Sequence, residues 1–458
     1  MKSFSLIYEL TRPIVVPSIG TFYKQIQIKN HKNFPAKGPV FICGNHVNAF
    51  MDPLAIQLNN GRQIFTLARG DVFAKPFMRW LLTKWKIIPI YRESEGKENL
   101  QKNEYTFAMS QKVLANGNPL IIYPEAICVQ ERRLRKLKKG AARIAFGALE
   151  KMNFSDELII LPVGLNYSDP KRFRSKLFIN FGEPIVVSQY AELYKADKVK
   201  AMNKLTSDLE VEMQKLVVNV KHKQNDQLVE DVYMIYKERL LVELGHDPKN
   251  LELDFEVSCD IANAVNYFQD NEPAVIDQAK QKIDSYKDLL RKYNLRDHLL
   301  GPEELKSLGF KKIVADIVAV LLGGPLFLLG LLMNYLPYKL AYSTADKVAK
   351  NVEFHASINM LVLFFSWIGF YLLQLFLVAI IAHDRAAFFI YALLVPLTAF
   401  YSLLFYPFMK KSSGRRRLFS LKRNKPAEFN DLVNRHSVII DLLDKAKKKY
   451  CDFYKSAQ

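Results

Sequence analysis

The stretch Gly44-Asn45-His46-Val47-Asn48-Ala49-Phe50-Met51-Asp52-Pro53 sets an imidazole and a carboxylate six positions apart. A neutral imidazole takes a proton from a hydroxyl near neutral pH. A carboxylate on its other nitrogen fixes the tautomer and stabilises the imidazolium that forms. Such a pair turns an alcohol into a nucleophile without a covalent enzyme intermediate. The competing reading is that Asp52 only caps a helix whose first residue is Pro53, where the missing N–H costs nothing, while His46 is a satisfied loop histidine.

Chemistry at His46 needs a scaffold that holds it. Val40 to Cys43 is a short apolar run suited to a buried strand, and Gly44 and Asn45 end it, so His46 stands at a strand exit. Further apolar runs suggest strands at Phe22 to Ile28, Ile64 to Ala68, Ile87 to Tyr91, Leu120 to Tyr123, Leu158 to Leu165 and Leu177 to Phe181. Helical patterns fall between several of them, at Pro53 to Asn59, Pro76 to Lys84, Leu100 to Ala115 and Gly140 to Lys151. This alternation predicts an α/β domain, a central sheet flanked by helices, over residues 1–190.

Three further stretches end strands in charge. Trp85-Lys86-Ile87-Ile88-Pro89-Ile90-Tyr91-Arg92 finishes in a guanidinium suited to bidentate capture of a phosphate or carboxylate, although an arginine after a strand is more often a solvated edge residue. Ile121-Ile122-Tyr123-Pro124-Glu125 finishes in a carboxylate. Residues 131–140 then hold six basic side chains in ten positions, Lys138 and Lys139 directly before a helix start. A charge run is usually a solvated face, but here it also suits an anion pocket. Ile160-Leu161-Pro162-Val163-Gly164-Leu165 is a buried strand whose proline and glycine suggest close backbone approach.

These blocks, in this order, resemble those of the phospholipid/glycerol acyltransferase family over roughly residues 20–190. The resemblance implies an acyltransferase fold with a mixed sheet and transfer of a fatty acyl group from a thioester, coenzyme A or acyl-carrier protein, to a hydroxyl of glycerol 3-phosphate. A lysophosphatidate acyltransferase is the alternative within the class, and a non-catalytic lipid-binding scaffold the alternative outside it. Carried over, His46 is the general base and Asp52 its partner. Arg92 and Glu125 shape the acceptor site, and Lys138 or Lys139 assists the phosphate. Neither metal nor cofactor is required beyond the thioester. The third block departs from its usual Pro-Glu-Gly: Ala126 follows Glu125, with Cys128 two residues on. If position 126 has positive φ, alanine costs about 1 kcal/mol there.

The excess of Lys plus Arg over Asp plus Glu, 65 against 46, gives a formal charge of +19 in 458 residues. Such a charge suits nucleic acid or an anionic membrane surface equally. The apolar runs of the last third decide for lipid. Ala356 to Ala382 and Ala386 to Met409 carry no charged side chain and are long enough to span a bilayer, with only His383, Asp384 and Arg385 between them. Residues 356–409 therefore predict a transmembrane hairpin, followed by a basic cytoplasmic tail, 410–458, whose first sixteen residues hold eight basic groups and no acidic one. The stretch Ile313 to Leu336, within residues 306–340, contains Asp316 and is interrupted by Gly323-Gly324-Pro325. It reads as a re-entrant or interfacial segment. Residues 191–305 show helical spacing and predict a helical extension without assignable chemistry. Four cysteines far apart indicate neither a disulfide framework nor a zinc site. Met1 to Glu9 does not read as a cleavable signal, and residues 4–24 suit an interfacial amphipathic segment or a packing helix.

Overall fold

Val40 to Gly44 is buried at every position, as a strand covered on both faces must be. In the computed structural model, which describes residues 4–456 except 59, 92–101, 156, 246 and 248, that strand is the centre of a mixed sheet. Eight strands are present among the described residues: β1 (Gln25–Lys29), β2 (Val40–Gly44), β3 (Phe65–Arg69), β4 (Ile87–Ile90), β5 (Leu120–Ile122), β6 (Ile159–Tyr167), β7 (Lys176–Phe181) and the two-residue β8 (Ile185–Val186). Their order is β1-β7-β6-β2-β5-β3-β4, with β8 on β6. Strands β6, β2, β5, β3 and β4 run parallel, whereas β7 opposes β6 and carries β1 parallel to itself. All seven expected strands are present, but Phe22 ends the helix Leu6–Phe22 and the first strand starts three residues later. Strand β8 is too short to have carried a pattern.

Helices cover both faces. On one, Lys102–Ala115, Gly140–Lys151 and Lys198–Gln214 bury Leu114, Ile144, Phe146, Leu205 and Leu209 against Phe41, Leu120 and Ile160. On the other, Ile19 and Phe22 meet Ile42, Ile121, Leu161 and Val163. The side chains of Phe41 and Ile42 thus point to opposite cores, as the two-residue period of a strand requires. Lys198–Gln214 shares the first core, so the compact unit runs to Asn219 rather than ending near 190, and it also takes in Lys347–Met360, far downstream.

The second unit, Val220–Asp346 with the chain after Leu361, is helical. Asp226–Glu243, Leu251–Asn271 and Pro273–Lys292 are joined by buried ion pairs, Lys287 to Asp231 at 2.6 Å and Lys237 to Asp254 at 2.6 Å. Among the described residues, three helices are long and apolar enough to cross a membrane: Phe310–Val348, Val352–Ala382 and Arg385–Asn424. Helix Phe310–Val348 runs without a break through Gly323-Gly324-Pro325, where the sequence suggested an interruption. The glycines serve close packing instead, since a Cβ on Gly323 would lie 2.4 Å from the Tyr401 hydroxyl and one on Gly330 2.3 Å from Ser402 Oγ. Asp316, the charge in that apolar stretch, is paired at 2.7 Å with Arg415. Polar side chains join the helices: Trp367 Nε1 donates to Asn334 Oδ1 at 2.9 Å and Tyr391 Oη to Gln374 Oε1 at 2.9 Å. Residues 410–424 prolong the third helix, and Pro426–Ser456 forms another packed on Pro273–Lys292.

Candidate active site

Parallel strands gather their carboxyl ends on one edge of a sheet, and ligands of open α/β folds bind outside that edge. His46 lies two residues beyond β2, Glu125 three beyond β5, and Tyr167 closes β6. The fold therefore brings three chemistry-bearing side chains together from well-separated stretches.

The imidazole is held at one nitrogen and on one face. His46 Nδ1 lies 2.8 Å from Asp52 Oδ2, and the ring stacks on Tyr123 with centroids 4.0 Å apart and planes 10° from parallel. The His46 N–H donates to Glu125 Oε1 at 2.9 Å, and its carbonyl accepts from the Val129 N–H at 3.1 Å. Asn45 pins the same loop to β6 by donating to the Leu165 carbonyl and accepting the Leu165 N–H at 2.7 Å. The histidine side chain is 16 % exposed, enough to meet a substrate.

Asp52 is fully buried and accepts four hydrogen bonds. Oδ2 takes the imidazole together with the N–H groups of Val47 at 2.9 Å and Asn48 at 2.8 Å, and Oδ1 takes the Tyr167 hydroxyl at 2.7 Å. The helix here is Met51–Ile56, with Phe50 as its cap residue, so Asp52 sits inside the first turn and Pro53 one position later. The expected cap geometry is thus displaced by two residues. The carboxylate turns back to bind the loop amides of Val47 and Asn48 and the histidine at once, rather than capping the helix. Burial, then the Asp52 charge, pushes the Tyr167 and Tyr123 hydroxyls well above their usual range, so both stay protonated and Tyr167 remains a donor to Asp52.

The other expected site residues fare differently. Glu125 is buried and spans two main-chain donors, His46 N–H and Arg135 N–H at 3.0 Å. Burial raises its pKa, opposed by those two amides. Its observed contacts are architectural. Lys138 and Lys139 are exposed, the first tied by its N–H to the Pro124 carbonyl at 2.8 Å, which fixes the basic run beside the end of β5. Arg92 lies outside the described residues. Ala126 has φ +59°, the conformation a glycine would take without strain, and its N–H closes a turn on the Tyr123 carbonyl at 3.0 Å. Tyr123 and Tyr167 carry no site signal of their own in the sequence. Each is an aromatic at the exit of an apolar strand, and only the known strand order makes that position informative.

Ligand atoms of His46, Asp52 and Cys128 lie within 4.8 Å of one another, a donor set that a metal ion can use. In this structure Asp52 Oδ2 serves two amides and the imidazole, and Cys128 Sγ accepts the Ala49 N–H at 3.2 Å. These contacts make the cluster a hydrogen-bonded one.

Comparison with known proteins places the chain. Residues 25–166 match the family model described as Acyltransferase. Glycerol-3-phosphate O-acyltransferase 1 of Saccharomyces cerevisiae is 28 % identical over 196 residues, 42 % of this chain and 24 % of that protein. Glycerol-3-phosphate O-acyltransferase 2 of the same yeast is 28 % identical over 137 residues, 29 % of this chain and 18 % of that protein. An uncharacterized acyltransferase of Schizosaccharomyces pombe is 23 % identical over 411 residues, 71 % of this chain and 59 % of its own length. The chain thus spans between a fifth and three fifths of these curated relatives. The crystal structure of the 1-acyl-sn-glycerophosphate acyltransferase PlsC from Thermotoga maritima aligns at 16 % identity with a TM-score of 0.28, over 44 % of this chain and 82 % of that one. The family match covers six of the eight strands, from β1 to β6, and with them the imidazole and carboxylate described above. Over residues 25–166, therefore, this chain is similar to the acyltransferase family.

Proposed function

We propose that the protein is a membrane-anchored O-acyltransferase that moves a fatty acyl group from a thioester to a hydroxyl of glycerol 3-phosphate in phospholipid synthesis. The observation that carries this reading is the 2.8 Å contact between His46 Nδ1 and Asp52. It leaves Nε2 to take the proton of the alcohol as the oxygen attacks the thioester carbonyl. The carbonyl becomes a tetrahedral oxyanion, which collapses to the ester, and the protonated imidazole returns its proton to the departing thiolate. Asp52, bonded to neutral donors on its remaining sites, stabilises the transient imidazolium. No covalent acyl-enzyme is needed. Lys138 and Lys139, with Arg92, are the cations we assign to the acceptor phosphate, and the helix beginning at Gly140 adds amide donors there.

Membrane attachment is supported by the three apolar helices and by the sheet unit itself. Leu6, Leu10 and Ile14, four residues apart on one helix, are all about half exposed or more, as are Phe77 and Trp80 on Pro76–Lys84. Ser5 Oγ donates to the Lys84 carbonyl at 2.7 Å, which ties the two helices together. An apolar ridge of this kind suits the bilayer interface, and the surrounding positive charge suits anionic lipid. The Asp316–Arg415 pair sets the start of the first apolar helix beside the end of the third. The basic stretch after Met409 suits the cytoplasmic face.

The test is purified protein with a radiolabelled acyl thioester, coenzyme A and acyl-carrier forms in parallel, and either glycerol 3-phosphate or lysophosphatidate. Acylated glycerol 3-phosphate from wild type, reduced at least ~100-fold in His46→Ala, is the expected result. Product from lysophosphatidate alone reassigns the acceptor. No transfer to either one leaves the lipid-binding scaffold.

A further inference from the structure

Lys347–Met360 begins about 160 residues after the sheet's last strand, yet it belongs to the sheet unit. It is fastened to the loops that hold His46. The Phe354 ring meets Phe50, two residues before Asp52, with centroids 6.1 Å apart, and Gln130, next to Val129, donates to the Val352 carbonyl at 3.4 Å. Ala356, fully buried, and Met360 pack into the apolar cluster that contains Met51, Ile42 and Val163 and is flanked by Tyr123. In the helix His355–Ala382, Asn359 is three residues from Ala356 and adjacent to Met360, hence on the face turned to that cluster.

Asn359 is 0 % exposed, and neither its Oδ1 nor its Nδ2 has a hydrogen-bond partner among the described residues. A buried carboxamide with both ends open is costly unless a ligand completes it. Two further buried polar atoms without partners border the same cluster: Asn48 Oδ1, on the loop whose N–H binds Asp52, and the Tyr123 hydroxyl, on the ring stacked against His46. Asn48 and Tyr123 flank the imidazole, and Asn359 lies on the helix packed into the cluster they border; open polar atoms gathered on one cluster suit a hydroxylated substrate.

We propose that Asn359 is a substrate-binding residue: its carboxamide, carried by the segment leading into the second apolar helix, receives the glycerol moiety of the acceptor. A carboxamide with a free donor and a free acceptor complements a hydroxyl, which offers both, whereas an acyl chain offers neither. The segment therefore completes the acceptor site from outside residues 25–166. This deepens the acyl-transfer reading and rests on it.

The experiment compares full-length wild type, Asn359→Leu and Asn359→Gln in saturation kinetics for acceptor and donor separately. Calorimetric titration with glycerol 3-phosphate and with lysophosphatidate, and the thermal midpoint, complete the set. The expected result is a rise of at least about tenfold in acceptor KM and Kd for the leucine variant, an unchanged donor KM, a midpoint at or above wild type, and partial rescue by glutamine. The two acceptors distinguish the free phosphate ester from the lipid. An acceptor Kd within twofold of wild type together with a raised midpoint overturns the proposal, because the amide is then only a buried polar group. A change confined to the donor overturns it too, as does a leucine variant that fails to fold, since an amide so needed has protein partners. Absence of transfer by the wild type sinks the underlying reading instead, while the titration still reads Asn359.

Discussion

Two buried aspartates, one in each unit, serve opposite ends. Asp52 in the sheet unit and Asp316 in the helical unit are 0 % and 1 % exposed. Asp316 faces a guanidinium: Arg415 Nη1 lies 2.7 Å away, and the same arginine binds Glu304 at 2.8 Å through Nε. That charge is neutralised permanently by a partner that does not titrate. Asp52 faces two amides, a hydroxyl and an imidazole, none of which carries a fixed charge. Its partners are dipoles, an arrangement suited to stabilising a cation that appears only transiently. The comparison teaches that burial of a carboxylate does not identify chemistry; the identity of its donors does.

The comparison breaks most decisively at Asp52. Asp52→Asn preserves shape but cannot accept from the imidazole and both amides alike, and it permits the wrong tautomer. A fall in kcat of about 10⁴-fold is expected, measured in the same acyl-transfer assay. Retention of activity within tenfold would falsify the coupled-pair mechanism. Arg415→Met should leave the chemistry intact but strand Asp316 and Glu304, costing about 3–5 kcal/mol in the helical unit. Thermal unfolding in detergent or nanodiscs checks this, and the double variant Asp316→Leu with Arg415→Met should recover much of the loss. If the single change leaves the midpoint unmoved, the pair is not the support described.

Tyr167→Phe removes one neutral donor and leaves Asp52 Oδ1 buried and unbonded. Stability should fall by about 1–3 kcal/mol, with a smaller loss of kcat than at Asp52, since the His46 contact remains. Equality of Tyr167→Phe and Asp52→Asn in kcat would remove the distinction between orienting donor and charge. The smallest effect is expected at Ala126, whose φ of +59° suits glycine. Ala126→Gly should stabilise the sheet unit by roughly 0.5–1 kcal/mol or leave it unchanged. A loss of stability there contradicts the turn geometry.

Much of the sheet was legible because local rules govern it. Val40 to Cys43, Leu120 to Tyr123 and Leu158 to Leu165 are continuous apolar runs, the mark of strands buried on both faces, and the structure makes them adjacent parallel strands. The His46–Asp52 contact was legible for the same reason: six residues and one tight loop suffice to bring the two together. The main-chain contacts of Glu125 were not, because a carboxylate that clamps main-chain amides and one that meets a substrate look alike in one dimension. Nor was the continuity of Phe310–Val348. Glycine and proline break a helix in water, but here Gly323 and Gly330 are the flat places on which Tyr401, Ser402 and Thr398 rest.

By itself the sequence determined the strands, the apolar helices and the pairing of His46 with Asp52, since each depends on neighbours within a turn or a loop. Tertiary structure alone decided that Tyr167 closes the acid from the end of β6, that Arg415 answers Asp316, and that residues 347–360 rejoin the sheet unit. These are choices among partners about a hundred residues or more away, and short-range periodicity carries no address for them. Only the packing of a common core, which all such segments must share, selects one.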